Sequence, residues 1–377
     1  MTSEIGILNK NGVVLAADSA VTISNGINSK VFNSARKLFT LSKEHSVGIM
    51  TYGNASFMGV PWGIIIGEYK KAIGTKVLDS TAKYVDEFIN FILQFQHVQS
   101  QDALRNYIYV QTLNYLYFIE RSAQYEFEQN FSNDNRRSFD EIYWRLIDII
   151  EKEIEKMENG KENVILKLEL DCIKEILEEN LSREYSSKQN ILRLATLIYK
   201  AILLDYSNES ITGIVIAGYG DKEIFPSLRQ IELSGIFSNT LIWNVINEQE
   251  ITQNNICQII PFAQSEMIET IINGIDPRFN HFIAEQLDSI FKNNDNMVIS
   301  KDNLFNSIAE FQQRNNINPI FDLIGMQPID EMAITAKTFI ELTSFKRRII
   351  NTVESVGGPV DVLAISKGEG PVWINRK

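Results

Sequence analysis

An α+β layered fold is what the order of elements in this 377-residue chain predicts. Three observations lead there. Apolar runs of strand length open the chain, a long stretch of helical periodicity follows, and strand runs then return before more helices and a last hairpin. A doubly wound sheet would instead alternate strand and helix one by one.

The elements follow in order. Ile5-Gly6-Ile7-Leu8 runs into Asn9-Lys10-Asn11-Gly12, whose Asn-Gly pair signals a hairpin. Val13 to Ala17 is apolar throughout, as a strand buried on both faces would be. A polar loop around Ser24-Asn25-Gly26 precedes a third strand, Ala35 to Leu41; Ser46 to Tyr52, ending at Gly53, is a fourth. From there to about residue 205 the pattern is helical. Ile142, Leu146, Ile150, Ile154 and Met157 share one helix face, and Glu151, Lys152, Glu153, Glu155 and Lys156 fill a solvated opposite one. Strands return at Thr212 to Gly218, Leu228 to Leu233, Thr240 to Asn247 and Ile256 to Phe262. Helices are expected over 265–292, 301–314 and Asp330 to Ile350. A hairpin of Val360 to Ser366 and Pro371 to Ile374 ends the chain.

Composition narrows the function. Hydrophobic residues make up 44% and charged residues 22%, a globular balance. The net charge of −12 repels phosphate backbones and no basic stripe offsets it, so no nucleic-acid partner is expected. The apolar runs fall far short of the roughly 20 residues of a membrane span. Met1-Thr2-Ser3-Glu4 lacks the basic start of a secretory signal, and Cys172 and Cys257 form no CxxC pair; both point to the reducing cytoplasm. His45, His97 and His281 are scattered without metal-ligand spacing. There is no P-loop or G-x-S-x-G, and Gly218-Tyr219-Gly220 lacks a third glycine. Neither a cofactor nor a metal is expected.

What remains is the start of the chain. Thr2 follows Met1, and methionine aminopeptidase accepts a small second residue, so threonine would lead the mature chain. Thr2-Ser3-Glu4-Ile5-Gly6-Ile7, Gly12-Val13-Val14-Leu15-Ala16-Ala17-Asp18-Ser19, Lys37-Leu38-Phe39, and Gly48 with Gly53 follow in sequence. Near the far end stands Ser355-Val356-Gly357-Gly358-Pro359-Val360-Asp361-Val362. In order and spacing these resemble proteasome β subunits and their bacterial relatives, N-terminal nucleophile (Ntn) hydrolases. The resemblance implies a four-layer αββα sandwich of the Ntn-hydrolase type with a large helical insertion. The core would be residues 1–75 and 206–377, the insertion 76–205, and a minor helical insertion 293–330.

The chemistry stands beside the likeness. A threonine hydroxyl needs a base, and a free α-amine, which ordinarily titrates at roughly 7.7–8.0, is a suitable one. Position by position, Thr2 would be the nucleophile and its amine the base. Lys37 would disfavour the amine's protonation, Asp18 would pair with Lys37, and the Gly53 N–H would hold the oxyanion. Plainer readings stay open: a turn residue for Asp18, an exposed strand lysine for Lys37 with Lys30 as rival, a structural turn for Gly53. Where the family has Gly-Ser-Gly this chain has Ala263-Gln264-Ser265, so Ser265 or Gln264 would replace its serine. Val21, Ala35, Thr51 and Ala55 would line an uncharged primary pocket for a peptide or protein substrate. The resemblance further implies a homo-oligomer, ring or stacked, and the helical insertion could dock a partner. A catalytically silent scaffold and a non-peptidase amidase are the competing readings.

Overall fold

The computed structural model describes residues 3–24, 29–129, 137–158, 165–181, 187–208, 211–291, 295–350 and 357–377. β1 (Ser3–Asn9) and β2 (Gly12–Ala17) form the opening hairpin, with Asn9 opposite Gly12. The two loop residues are therefore Lys10 and Asn11, not the Asn-Gly pair. The Asn9 side-chain oxygen accepts the Asn11 N–H at 2.8 Å and holds the turn. Gly12 serves a different need: a Cβ there would stand 2.6 Å from the Ile365 carbonyl oxygen.

The stretch expected as a polar loop carries a short hairpin, β3 (Val21–Ser24) with β4 (Ser29–Phe32); Asn25 and Gly26 lie outside the described residues. Next come β5 (Leu38–Thr40), β6 (Val47–Gly53), and the small pair β7 (Ser56–Phe57) and β8 (Val60–Pro61). Among the described residues the α-helices that follow are α1 (Trp62–Ile73), α2 (Thr81–Gln94), α3 (Gln101–Gln129), α4 (Phe139–Glu158), α5 (Lys167–Asn180) and α6 (Lys188–Leu203). Then stand β9 (Thr212–Gly218), β10 (Ser227–Phe237), β11 (Thr240–Glu250) and β12 (Cys257–Ala263). The chain finishes with α7 (Glu266–Asn273), α8 (Pro277–Phe291), α9 (Asp295–Gln312), α10 (Asn318–Met326), α11 (Ile329–Ile350), β13 (Asp361–Ser366) and β14 (Gly370–Asn375). The single helix expected over 265–292 is two, because Gly274 takes a left-handed φ of 73° at the end of α7 and Pro277 opens α8.

The architecture is a mixed one of helices and antiparallel sheets. One five-stranded sheet runs β12-β1-β2-β13-β14 and the other β11-β10-β9-β6-β5. Leu8, Val13 and Leu15 of the first sheet share an apolar cluster with Met50, Val215 and Leu228 of the second. On the other side of the first sheet, Ile5, Ile7 and Val14 pack with Met332, Ala336 and Ile340 of α11. Ile49, Ile214 and Ile231 of the second sheet join the helices from α1 to α6. Apolar burial on both faces explains why β1 and β2 read as continuous apolar runs rather than alternating ones. Among the described residues no helix is long and apolar enough to cross a membrane.

Candidate active site

Antiparallel pairing brings the start of β1 beside the end of β2, with Glu4 opposite Ala17. Asp18, the next residue, is thereby set against Ser3. The Ser3 N–H donates to Asp18 Oδ1 at 3.1 Å, and the Asp18 N–H returns a bond to the Ser3 carbonyl at 3.1 Å. Asp18 Oδ2 accepts the Gly357 N–H at 3.0 Å and the Ala20 N–H at 3.3 Å. Lys37, just ahead of β5, donates its ammonium to Asp18 Oδ1. The same nitrogen lies 3.3 Å from Glu4 Oε1.

These three ionisable residues are almost dry: Glu4 is 0% exposed, Asp18 1% and Lys37 6%. Removing ions from water costs several kcal/mol each; here the Lys37 cation lies between the two carboxylates, and Asp18 also accepts three backbone N–H bonds. Burial pushes the nearby Lys377 ammonium below its ordinary value; Asp361 opposes that shift and the Lys37 and Arg36 cations add to it. A second polar group stands in the same layer. Gln230 Nε2 donates to the Tyr52 hydroxyl at 2.5 Å, which donates to Glu232 at 3.2 Å. Burial raises the Tyr52 hydroxyl well above its ordinary value, so it stays a neutral donor.

Of the site residues named from sequence, Asp18 and Lys37 meet in this cluster. Thr2 lies outside the described residues. Gly53 ends β6 with φ 80°, close against the Ile211 carbonyl. Ser265 precedes α7, half-buried, and its side chain caps nothing. Its neighbour Gln264 is buried, and neither amide atom of its side chain finds a partner among the described residues. Thr51 is buried and its N–H donates to the Lys37 carbonyl at 2.9 Å; Ala35 is half-buried and its N–H donates to the Ser19 carbonyl at 3.0 Å. Val21 is half-buried and Ala55 exposed.

Glu4 is the residue that reading the sequence missed. The signal was present: within β1 it shares the inward parity of Gly6 and Leu8, where an acid is rare unless paired. A cavity of about 320 Å³ borders Asp18, lined also by Gly357, Gly358, Arg348 and Glu341 but not by Lys37 or Glu4. The larger hollow of about 620 Å³, bordered by Tyr117, Arg121 and Phe139, lies on the α3 and α4 helices and holds none of these residues. His45 is a buried core histidine, its Nδ1 2.7 Å from the Tyr84 hydroxyl and its Nε2 2.9 Å from the Gly74 carbonyl. Among the described residues no group of His, Cys, Asp and Glu is arranged to hold a metal.

No family model matches the chain, and no curated protein does. Among solved structures it is similar to the Anbu (Gly-1) mutant from Hyphomicrobium sp. strain MC1, at 10% identity and a TM-score of 0.32, over 100% of this chain and 86% of that one. It is also similar to Anbu (ancestral beta-subunit) from Yersinia bercovieri, at 11% identity and a TM-score of 0.30, over 100% of this chain and 88% of that one. The assignment to the proteasome β-subunit type of Ntn hydrolase is thus corrected: no family model answers to it, and the structures named above are Anbu proteins. The physical reason is that its motifs were short. A buried strand closed by an acid, or a glycine ending a strand, recurs wherever two sheets pack.

Proposed function

We propose that the chain is an N-terminal-threonine hydrolase that cleaves amide bonds, peptide bonds foremost, once loss of Met1 frees Thr2. The observation that carries the reading is the buried ion cluster of Lys37, Asp18 and Glu4, with Asp18 bonded to the Ser3 N–H, the amide formed with residue 2.

The reaction follows from the groups. The Thr2 hydroxyl attacks the substrate carbonyl while its own α-amine takes the proton. The Lys37 ammonium favours the neutral, basic form of that amine by like-charge repulsion. The Gly53 N–H stabilises the oxyanion. The amine then passes its proton to the leaving amine, and water activated by the same base releases the acyl group from Thr2. The uncharged lining of Val21, Ala35, Thr51 and Ala55 suits a substrate with a neutral, medium-sized side chain. We read the two sheets and their helical flanks as four αββα layers, with 76–205 inserted between strands of the core.

Intact mass together with labelling by a threonine-directed peptide epoxyketone tests the function. The expected result is a chain lacking Met1 that takes up one equivalent, with labelling abolished in Thr2→Ala and Lys37→Ala. A chain that retains Met1, or a Thr2→Ala variant that labels like the parent, overturns it.

A further inference from the structure

A carboxylate carries two acceptor oxygens, and burial leaves each of them in need of a donor. Glu169 on α5 is 4% exposed. Ser238 of the β10–β11 turn and Tyr199 of α6 approach it together, the Ser238 N–H donating to Oε1 at 3.1 Å. Oε2 is buried as well and finds no hydrogen-bond partner among the described residues. Burial raises the pKa of this carboxyl, and what opposes the rise is hydrogen bonding, not a neighbouring cation. A cavity of about 220 Å³ lies between α3 and α5 with Glu169 in its lining. Neither α6 nor the β10–β11 turn contributes to that lining, so the side of the carboxylate away from Ser238 is the one that faces it. Leu104, Ile108 and Leu168 give the cavity apolar walls. Asp102 and Glu175 line it too, and their exposed side chains mark its mouth as buried Glu169 marks its depth. Arg105, the cation of the lining, is exposed and stands 3.5 Å from Glu175.

We propose that this cavity binds a primary alkylammonium group, its nitrogen on Glu169 and its methylene stem along Leu104, Ile108 and Leu168. The lining selects that class. A buried carboxylate repels anions, and a neutral hydroxyl would form a weaker bond to it than a charged donor does. A guanidinium is suited to a two-oxygen fork, but Oε1 is already taken by Ser238, which leaves one oxygen for a compact ammonium. Asp102 and Glu175 at the mouth draw a cation inward. Keeping a buried charge without a counter-ion costs stability, and a sequence breaks such a rule where function requires it. Two sources carry the group: a free alkylamine, or a lysine side chain on a partner protein.

Calorimetric titration of the full chain with cadaverine, with the blocked peptide acetyl-Ala-Lys-Ala-amide and with pentanol tests it. At least one of the two ammonium probes is expected to bind, with pentanol about tenfold weaker or more. Tighter cadaverine identifies a free amine as the occupant, and a tighter peptide identifies a partner's lysine. Glu169→Gln is expected to weaken the ammonium probe about tenfold or more. That variant keeps an oxygen for the Ser238 N–H, and its melting curve verifies that it is folded. A second measurement locates the probe: Cys172 lines this cavity, whereas Cys257 is buried elsewhere, in β12. At a probe concentration ten times its Kd, modification of Cys172 by methyl methanethiosulfonate should slow about tenfold in the parent and at most about twofold in Glu169→Gln. Absence of binding by both ammonium probes, pentanol binding as tightly as they do, affinity unchanged in a folded Glu169→Gln, or Cys172 modified at the same rate with and without probe overturns the proposal.

Discussion

The Asp18 carboxylate accepts the N–H of Gly357, 339 residues further along the chain, at 3.0 Å. One buried side chain thereby ties the end of β2 to the approach of β13, which pairs with β2 in the same sheet. Asn in its place would keep one acceptor oxygen but turn an NH₂ group toward the backbone donors. It would also leave Lys37 with Glu4 as its remaining anion in the cluster. Removing one partner of a buried pair costs about 3–5 kcal/mol, and because Glu4 persists, about 3 kcal/mol is expected for Asp18→Asn. Urea denaturation of both proteins measures it; a loss below about 1 kcal/mol would mean the pair is effectively solvated.

Gly53 and Gly59 both have φ 80°, yet they face different surroundings. A Cβ at Gly53 would stand 2.4 Å from the Ile211 carbonyl oxygen, whereas at Gly59 nothing lies within 4 Å. Gly59→Ala therefore meets only the cost of a left-handed side chain, about 1 kcal/mol. Gly53→Ala adds a backbone collision and is expected to cost about 2–4 kcal/mol. Thermal melts of the two variants decide it, and equal losses would refute the collision.

Much of the sheet framework was legible because doubly buried strands announce themselves by unbroken apolar runs. Val13 to Ala17 and Thr212 to Gly218 are such runs, now β2 and β9. Strand order was not legible. β1 lies between β2 and β12, a neighbour more than 240 residues away, through contacts that no local pattern encodes. The β3–β4 hairpin stayed hidden because its strands are four residues each and polar enough to read as loop. In the site, Asp18 stood out because it closes an apolar strand. Glu4 did not, because one acid inside an apolar strand has no spacing to mark it, only a burial that appears once the sheets pack.

Glu169 on α5 is 4% exposed, and its carboxylate accepts the Ser238 N–H at 3.1 Å. Burial raises its pKa, while the bonds from the Ser238 amide and the Tyr199 hydroxyl pull the other way. A carboxyl raised above its unfolded value contributes stability below that value and loses it as pH rises through the folded one. Glu169→Gln keeps the acceptor without the charge, so it is expected to raise the melting temperature near neutral pH. The gain, about 1 kcal/mol, should vanish by about pH 4, where the parent side chain is protonated. A gain of equal size at both pH values would show that charge is not its source.

Gln264 poses the last question, because a buried amide left unmet costs about 1–3 kcal/mol. It directly follows Ala263, which pairs with Ser3 and holds a left-handed φ of 58°. That register sets Gln264 beside the strand end to which residue 2 is joined, and an α-amine is chemically suited to donate to its oxygen. Gln264→Leu is therefore expected to slow epoxyketone labelling about tenfold, the scale of a misaligned general base. Ser265→Ala, at a half-buried residue whose side chain caps nothing, should change it less than about twofold. Ser265→Ala slowing the reaction as much as Gln264→Leu would assign the contact to the serine, and an unaffected Gln264→Leu would leave its buried amide to a bridging water.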